Sequence, residues 1–225
     1  LMEVQEAEIT GQERYVLTDV VDHTLSVYDA RGLLQSVEYP NQQRLSFAYG
    51  EEGLERIVTP LGNVLQVECR GGRILQITDE IGRRTQYRYE GDLLVDVVHT
   101  DEGITHYEYD ENGHISSVTD QNGSCYLENE YDVKGRVTRQ NFSSGVYQIF
   151  TYDDTHRRNT IYYSETGKTE IYEYNNRFLK ERVIYEDGSF QTYQYSDDNL
   201  KVGEISRLGS RKEWEYDAYG RSIRE

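Results

Sequence analysis

The chain has 225 residues, of which 21 are tyrosine against five phenylalanines and one tryptophan, with only two prolines and two cysteines. Its 24 Lys and Arg stand against 41 Asp and Glu, a formal charge of −17; this argues against a nucleic-acid groove, which needs basic residues, and against adsorption to an anionic membrane surface. No apolar run reaches the ~18 residues of a membrane-spanning helix, and the Tyr and β-branched residues are spaced too regularly for disorder.

Residues 1–14 carry no recurring pattern and are read as an N-terminal cap or a worn repeat. From residue 15 to residue 225 one pattern recurs, a Tyr-Asp-like pair every 20 to 22 residues. In chain order it begins with Tyr28-Asp29 and continues with the looser Tyr49-Gly50. Cys69-Arg70 fills the next slot, followed by Tyr89-Glu90. Tyr109-Asp110, Tyr131-Asp132 and Tyr152-Asp153 are full copies, Tyr174-Asn175 and Tyr195-Ser196 loose ones, and Tyr216-Asp217 closes the series. A fixed step along most of a chain marks a repeat array, whose units bury their apolar faces against their neighbours.

One unit shows the predicted elements. His106-Tyr-Glu-Tyr109 alternates as a strand does, with Tyr107 and Tyr109 on one face. Asp110-Glu-Asn-Gly113 is a turn, Asp bonding its own backbone and Gly supplying positive φ. His114 to Thr119 is a return strand, and Asp120-Gln-Asn-Gly123 turns the chain into the next unit. The other units follow suit. Gly32, Gly53, Gly72, Gly113, Gly135 and Gly220 sit in one series of turns; Gly62, Gly82, Gly103, Gly123, Gly145, Gly167, Gly188 and Gly209 sit in the other. Two such combs leave no room for long helices. The expected fold is all-β, a repetitive antiparallel β-hairpin strip with about two strands per ~21-residue unit. Stacked in register, the strands are expected to align Tyr beside Tyr across the sheet. Return strands with apolar residues three apart (Leu54/Ile57, Ile74/Ile77, Ile115/Val118) break strict alternation, which requires either a bulge or cover on both faces.

Little chemistry is visible. Cys69 and Cys125 match no metal or redox spacing. The five histidines form no metal motif, and His106 and His114 beside Asp110 read as ordinary strand residues. No nucleophile elbow, phosphate loop or dinucleotide fingerprint occurs. The pairs Asp101/Glu102, Asp153/Asp154 and Asp197/Asp198 read as chance neighbours among 41 acids rather than a glycosidase couple. No enzyme, cofactor or metal is expected. The structural positions are Tyr28, Tyr49, Tyr89, Tyr109, Tyr131, Tyr152, Tyr174, Tyr195 and Tyr216. Aromatic hairpin repeats also serve as sugar-stacking modules, so a carbohydrate- or cell-wall-binding adhesion module is the alternative reading.

Tyr131-Asp-Val-Lys-Gly-Arg-Val137 and Tyr216-Asp-Ala-Tyr-Gly-Arg-Ser-Ile223 closely resemble the YD repeat, also called the RHS repeat, of bacterial Rhs and wall-associated proteins, insecticidal toxin complexes and teneurins. The segment Tyr109 to Tyr131 carries nearly the whole pattern. Cys69 in a Tyr slot, Asn129 in an aromatic slot and Pro40-Asn-Gln-Gln43 without its turn Gly depart from it. The resemblance implies a β-strip that coils into a hollow shell, which in bacterial toxins encloses a C-terminal toxin domain. It implies containment and delivery rather than catalysis, on a secreted or cell-surface protein. About ten units are fewer than an enclosing shell uses, so an arc or partial barrel is expected. Its partners would be further repeats and an enclosed domain of the same chain, with weak self-association through open sheet edges. Self-cleavage is not expected of this segment.

Overall fold

The computed structural model describes residues 2–6, 14–19, 23–218 and 220–224, and the described residues contain strands and turns without a helix. They form two compact units, Leu1–Ile104 with Ala218–Arg221, and Thr105–Asp217 with Ser222–Glu225. Tyr219, within the Tyr216–Ile223 copy of the repeat, lies outside the described residues.

In the first unit ten strands follow one another as an antiparallel meander: Met2–Glu6, Arg14–Asp19, Thr24–Asp29, Leu34–Glu38, Arg44–Tyr49, Leu54–Val58, Val64–Arg70, Arg73–Thr78, Arg84–Glu90 and Leu93–Val98. Each pairs with the strand before it. The second unit repeats the arrangement from Ile104–Tyr109 through Ile115–Thr119, Cys125–Tyr131, Val137–Phe142, Tyr147–Asp153, Arg158–Tyr163, Lys168–Tyr174, Lys180–Tyr185, Phe190–Tyr195 and Lys201–Ile205 to Arg211–Glu213. Glu215–Tyr216 and Ser222–Arg224 form a separate small hairpin. The fold is all-β, a repetitive array of antiparallel hairpins.

The turns explain the glycine combs. In the commonest form the first turn residue donates its N–H to the carbonyl four residues on, and the glycine N–H returns a bond to the first residue's carbonyl. Asp110 and His114 (2.9 Å) with Gly113 and Asp110 (3.0 Å) are one instance. This is a three-residue hairpin loop with a left-handed fourth position, where Gly113 has φ 81°. The backbone demands that conformation even without glycine. Gln42 (φ 64°) supplies it in the Pro40 turn, Phe178 (φ 59°) after Asn175 and Asn199 (φ 65°) after Ser196. Gly103, assigned to the comb from sequence, is displaced from it: the left-handed residue there is Glu102 (φ 68°), whose N–H donates to the His99 carbonyl. Gly71-Gly72 instead forms a two-residue loop between Arg70 and Arg73, with φ 57° and 76°.

The three-apart apolar residues are resolved by a bulge. Tyr109 lies opposite Ile115, Glu108 opposite Ser117 and Tyr107 opposite Val118, so Ser116 is an extra residue. One inserted residue inverts the alternation, returning Ile115 and Val118 to the tyrosine face. The same slip follows Tyr28, Tyr49, Cys69, Tyr89, Tyr131, Tyr174, Tyr195 and Tyr216. Tyr152 departs: it pairs with Asn159 in unbroken register across a longer loop.

Burial is shallow. Val67, Val118 and Val183, at 7, 4 and 3% exposure, are the buried apolar residues among those described. Strand Cys125–Tyr131 alternates, with Cys125, Leu127, Asn129 and Tyr131 half-buried on one face and Tyr126, Glu128 and Glu130 exposed on the other, whereas return strands such as Arg73–Thr78 and Val137–Phe142 are half-buried throughout. The ladder and the cross-strand contacts therefore carry stability that a packed second layer supplies in most sheets.

Candidate functional site

The expected Tyr-beside-Tyr ladder is not what the register produces. Because the Tyr-Asp strands alternate with return strands, the direct neighbour of a rung tyrosine is generally a return-strand residue: Leu34 for Tyr28, Leu54 for Tyr49, Ile115 for Tyr109, Lys180 for Tyr174; on its other side Tyr28 does lie opposite a tyrosine, Tyr15. Strand order, which the repeat itself dictates, separates the rings.

What holds the rings is more specific. The Tyr131 hydroxyl donates to the Ile115 carbonyl oxygen at 2.6 Å. Tyr89 donates likewise to Ile74 (3.0 Å), Tyr152 to Val137 (2.7 Å), Tyr195 to Lys180 (2.8 Å) and Tyr216 to Lys201 (2.7 Å). Each acceptor is the first residue of a bulge. The ladder from that return strand to the next strand begins two residues later, at Gln76, Ser117, Arg139, Arg182 and Gly203. The bulge thus puts a carbonyl outside the ladder, and a buried carbonyl needs a donor; the following tyrosine provides it. Tyr174 fits the rule from the other side. The strand before it, Arg158–Tyr163, has no bulge, and there the Tyr174 backbone N–H donates to the Arg157 carbonyl at 3.0 Å. Burial pushes the hydroxyls of Tyr49, Tyr109, Tyr152 and Tyr195 above their ordinary pKa, as desolvation disfavours the phenolate.

The residue after the turn glycine covers the next ring. Arg73 lies 5.5 Å from the Tyr89 centroid, Arg136 lies 4.2 Å from Tyr152, and His114 stacks on Tyr131 at 4.8 Å and 28°. In the last repeats lysines alternate with aromatics: Lys180 sits 5.8 Å from Tyr172 and 4.7 Å from Tyr193, Lys201 5.9 Å from Tyr193 and 4.1 Å from Trp214. Such cation–π contacts contribute about 0.5–1 kcal/mol each where exposed. The Gly-Arg dipeptides at 72–73 and 135–136 and Gly113-His114 carried this signal in sequence, each about one strand pair ahead of a tyrosine.

The aspartates build turns. Asp132 Oδ1 accepts the N–H of Lys134 (2.9 Å) and of Arg136 (3.0 Å). Asp29, Asp79, Asp110 and Asp120 make the equivalent pair of bonds, and Asn175 does so with an amide oxygen. Accepting these N–H groups holds the carboxyls below their ordinary range; for Asp132 the Arg136 backbone is the main cause, for Asp110 the His114 ring. Arg136 then joins Asp132 (2.8 Å) to Asp154 (2.6 Å), and Lys134 reaches Asp154 as well. Arg177 donates to the carbonyls of Ser196 and Asp197 (2.9 and 3.0 Å), and Arg207 pairs with Asp187. These links span about one repeat, so successive turns are laced together.

Several of the groups considered from sequence are occupied by these roles. His114 Nδ1 is 3.0 Å from Asp110 Oδ2, and Asp153 holds His156 at 2.7 Å while its neighbour Asp154 binds Lys134 and Arg136. Asp101 accepts the Gly103 N–H. Cys69 and Cys125 are free thiols. Among the described residues no cluster of three or more His, Cys, Asp or Glu could hold a metal, and no helix is long and apolar enough to cross a membrane. One further group was not foreseen. The Tyr172 hydroxyl donates to Glu170 at 2.6 Å and lies 3.2 Å from the Tyr163 hydroxyl, beside a cleft of about 410 Å³ that Tyr185, Asp187 and Arg207 also line. Burial first, and then the Glu170 carboxylate, push the Tyr172 hydroxyl strongly upward.

Similar proteins have this hairpin array. The crystal structure of TcdB2-TccC3 matches with a TM-score of 0.58 at 15% identity, over 99% of this chain and 15% of that chain. TcdB2-TccC3-Cdc42 matches with a TM-score of 0.57 at 15% identity, over 99% of this chain and 14% of that chain. The chain therefore spans about one seventh of the solved chains that it resembles in fold. No curated protein sequence matches it. The Teneurin YD-shell family profile matches residues 9–129, more than half of the chain, and with the repeat geometry above this places the chain in the Teneurin YD-shell family.

Proposed function

We propose that the chain is a non-catalytic wall segment of a longer YD shell, one that encloses and helps to deliver a toxin domain of the same polypeptide outside the producing cell. The observation that carries the reading is the use of the repeated side chains. The rung tyrosines, aspartates and post-glycine cations bind the array's own backbone or one another, which is the economy of a scaffold. The nine tyrosines act as structural rungs: five hydroxyls are committed to bulge carbonyls and several ring faces to cations, an arrangement that favours packing over sugar stacking. Family membership and the small fraction of the matched chains that this one spans agree with a part of a larger wall. Unpaired sheet edges, where present, pair with further repeats or, in the isolated segment, with a second copy.

The test is limited proteolysis of the intact protein that carries this segment. An enclosed domain resists a protease that digests the same domain expressed alone. It becomes cleavable when Tyr131 and Tyr152 are both replaced by alanine. Equal digestion of the domain in both settings would refute enclosure.

A further inference from the structure

The face opposite the rung tyrosines changes character along the second unit. Its outward positions are Tyr126, Glu128 and Glu130 on Cys125–Tyr131, and Arg139 and Asn141 on Val137–Phe142. The next five strands place Tyr147 and Ile149, Tyr162, Ile171, Ile184 and Phe190 there instead. Ile149 lies opposite Tyr162, Ile171 opposite Ile184 and Ile184 opposite Phe190, and the Tyr147 and Tyr162 rings are 6.1 Å apart. Ile149 is 37% and Phe190 45% exposed. In the first unit the corresponding positions are mostly polar, Arg44 and Ser46, Gln66, Gln76 and Thr78, Arg84 and Gln86, with Val58 opposite Val64 and Val98 opposite Gln86 as short apolar interruptions. Sheet geometry tolerates either set, so the ladder does not require a contiguous apolar stripe here, and such stripes mark contact surfaces.

Two guanidiniums frame the stripe. The Arg139 guanidinium carbon lies over the Tyr147 ring, 4.1 Å from its centroid, and that of Arg182 over the Phe190 ring at 3.9 Å. On this face Glu173 is engaged by Arg158 at 2.6 Å and Asp153 by His156, and Arg182 reaches Glu173 only at 3.9 Å. Arg139, whose Nε donates to Asn141 at 2.8 Å, makes no ion pair with Glu130 on the neighbouring strand. A guanidinium stacked on a ring still offers its N–H edge to a carboxylate. The two arginines stand four strands apart, roughly 19 Å at the usual strand spacing. An extended segment covers that distance in about six residues.

We propose that this face docks an extended polypeptide segment with apolar side chains between two carboxylates about six residues apart, the carboxylates pairing with Arg139 and Arg182. Aromatic, Ile and Arg residues at the centre of a contact are the composition of protein interfaces. The surface lies opposite the rungs and is independent of whether the shell encloses a toxin.

The test uses the 225-residue chain and an end-capped fluorescent seven-residue peptide with glutamate at each end and leucine at alternate positions between, followed by anisotropy. Binding is expected to be at least about tenfold tighter than for the same peptide with terminal lysines. Arg139→Glu with Arg182→Glu reverses that preference, and Phe190→Ser weakens both peptides; circular dichroism verifies that each variant keeps its strands. Equal affinity for the two peptides, or a preference unchanged in the charge-reversed variant, overturns the proposal. So does self-association in sedimentation that the charge-reversed variant abolishes, since the occupant would then be a second copy.

Discussion

At the scale of single residues, each repeated side chain answers a need created by the backbone nearby. Tyr131 does two things at once: its ring fills the half-buried face and its hydroxyl serves the Ile115 carbonyl. Tyr131→Phe keeps the ring and removes the bond, so chemical denaturation should show a loss of about 0.5–1.5 kcal/mol. The Tyr174 hydroxyl faces no bulge carbonyl from the strand before it, so Tyr174→Phe should cost less in the same assay. Phe178 is the opposite case, a residue held against its preference. Its φ is 59° and its side chain is 79% exposed, so it contributes strain and little packing. Phe178→Gly should raise stability by about 1 kcal/mol, read as an increased urea midpoint. Gly135→Ala should lower it, because the added Cβ would sit 2.7 Å from His114 Nε2 at φ 74°.

At the scale of the hairpin, the turns give the array its response to acid. Asp187 accepts bonds from the Ser189 hydroxyl and N–H and pairs with Arg207, which lowers its pKa from 3.8 to about 2. A carboxyl whose folded pKa is depressed stabilises the fold above its unfolded value. That contribution is lost as pH falls through the folded value. For Asp187 the window runs from about pH 4 down to about pH 2, and Asp29, Asp79, Asp110, Asp120 and Asp132 shift in the same direction. The urea midpoint should therefore fall steadily across that window. Asp187→Asn, which keeps an amide oxygen for the turn as Asn175 does, should flatten part of the slope. A midpoint independent of pH below 4 would contradict this account. The hairpin is also where legibility from sequence was partial. Period, strand polarity and turn chemistry were visible because Tyr, Asp and Gly recur in phase. Ile115 and Val118 announced a conflict that either of two geometries would relieve, and only the pairing of Glu108 with Ser117 selects the bulge. Glu102 was missed because a glycine stands beside it and propensity assigned the turn to the wrong neighbour.

At the scale of the whole chain, stability is a sum over adjacent hairpins rather than the product of one core, since among the described residues the buried apolar side chains are three valines and contacts run between consecutive strands. Arrays of this kind lose cooperativity as they lengthen. The charge of −17 adds self-repulsion, so the urea midpoint should rise with added salt up to physiological ionic strength as screening sets in; an unchanged midpoint would show the charges to be too far apart to matter. Period, strand alternation and turn residues together made the all-β hairpin array legible in the sequence. Sequence reading missed the outward stripe, because Ile171, Ile184 and Phe190 read as ordinary strand residues until register puts them on one face. It likewise placed tyrosine beside tyrosine, having counted repeats without counting the return strand between them.

Strand order following chain order also has a mechanical consequence. A pull on the chain's ends loads one strand pair at a time, so the hydrogen bonds of a hairpin open in succession, like a zipper, instead of yielding together in shear. Each released unit of 20 to 22 residues pays out roughly 7 nm of extended chain. The arginines that bridge successive turns, such as Arg136 between Asp132 and Asp154, are then latches that each step must break before the next hairpin can peel away.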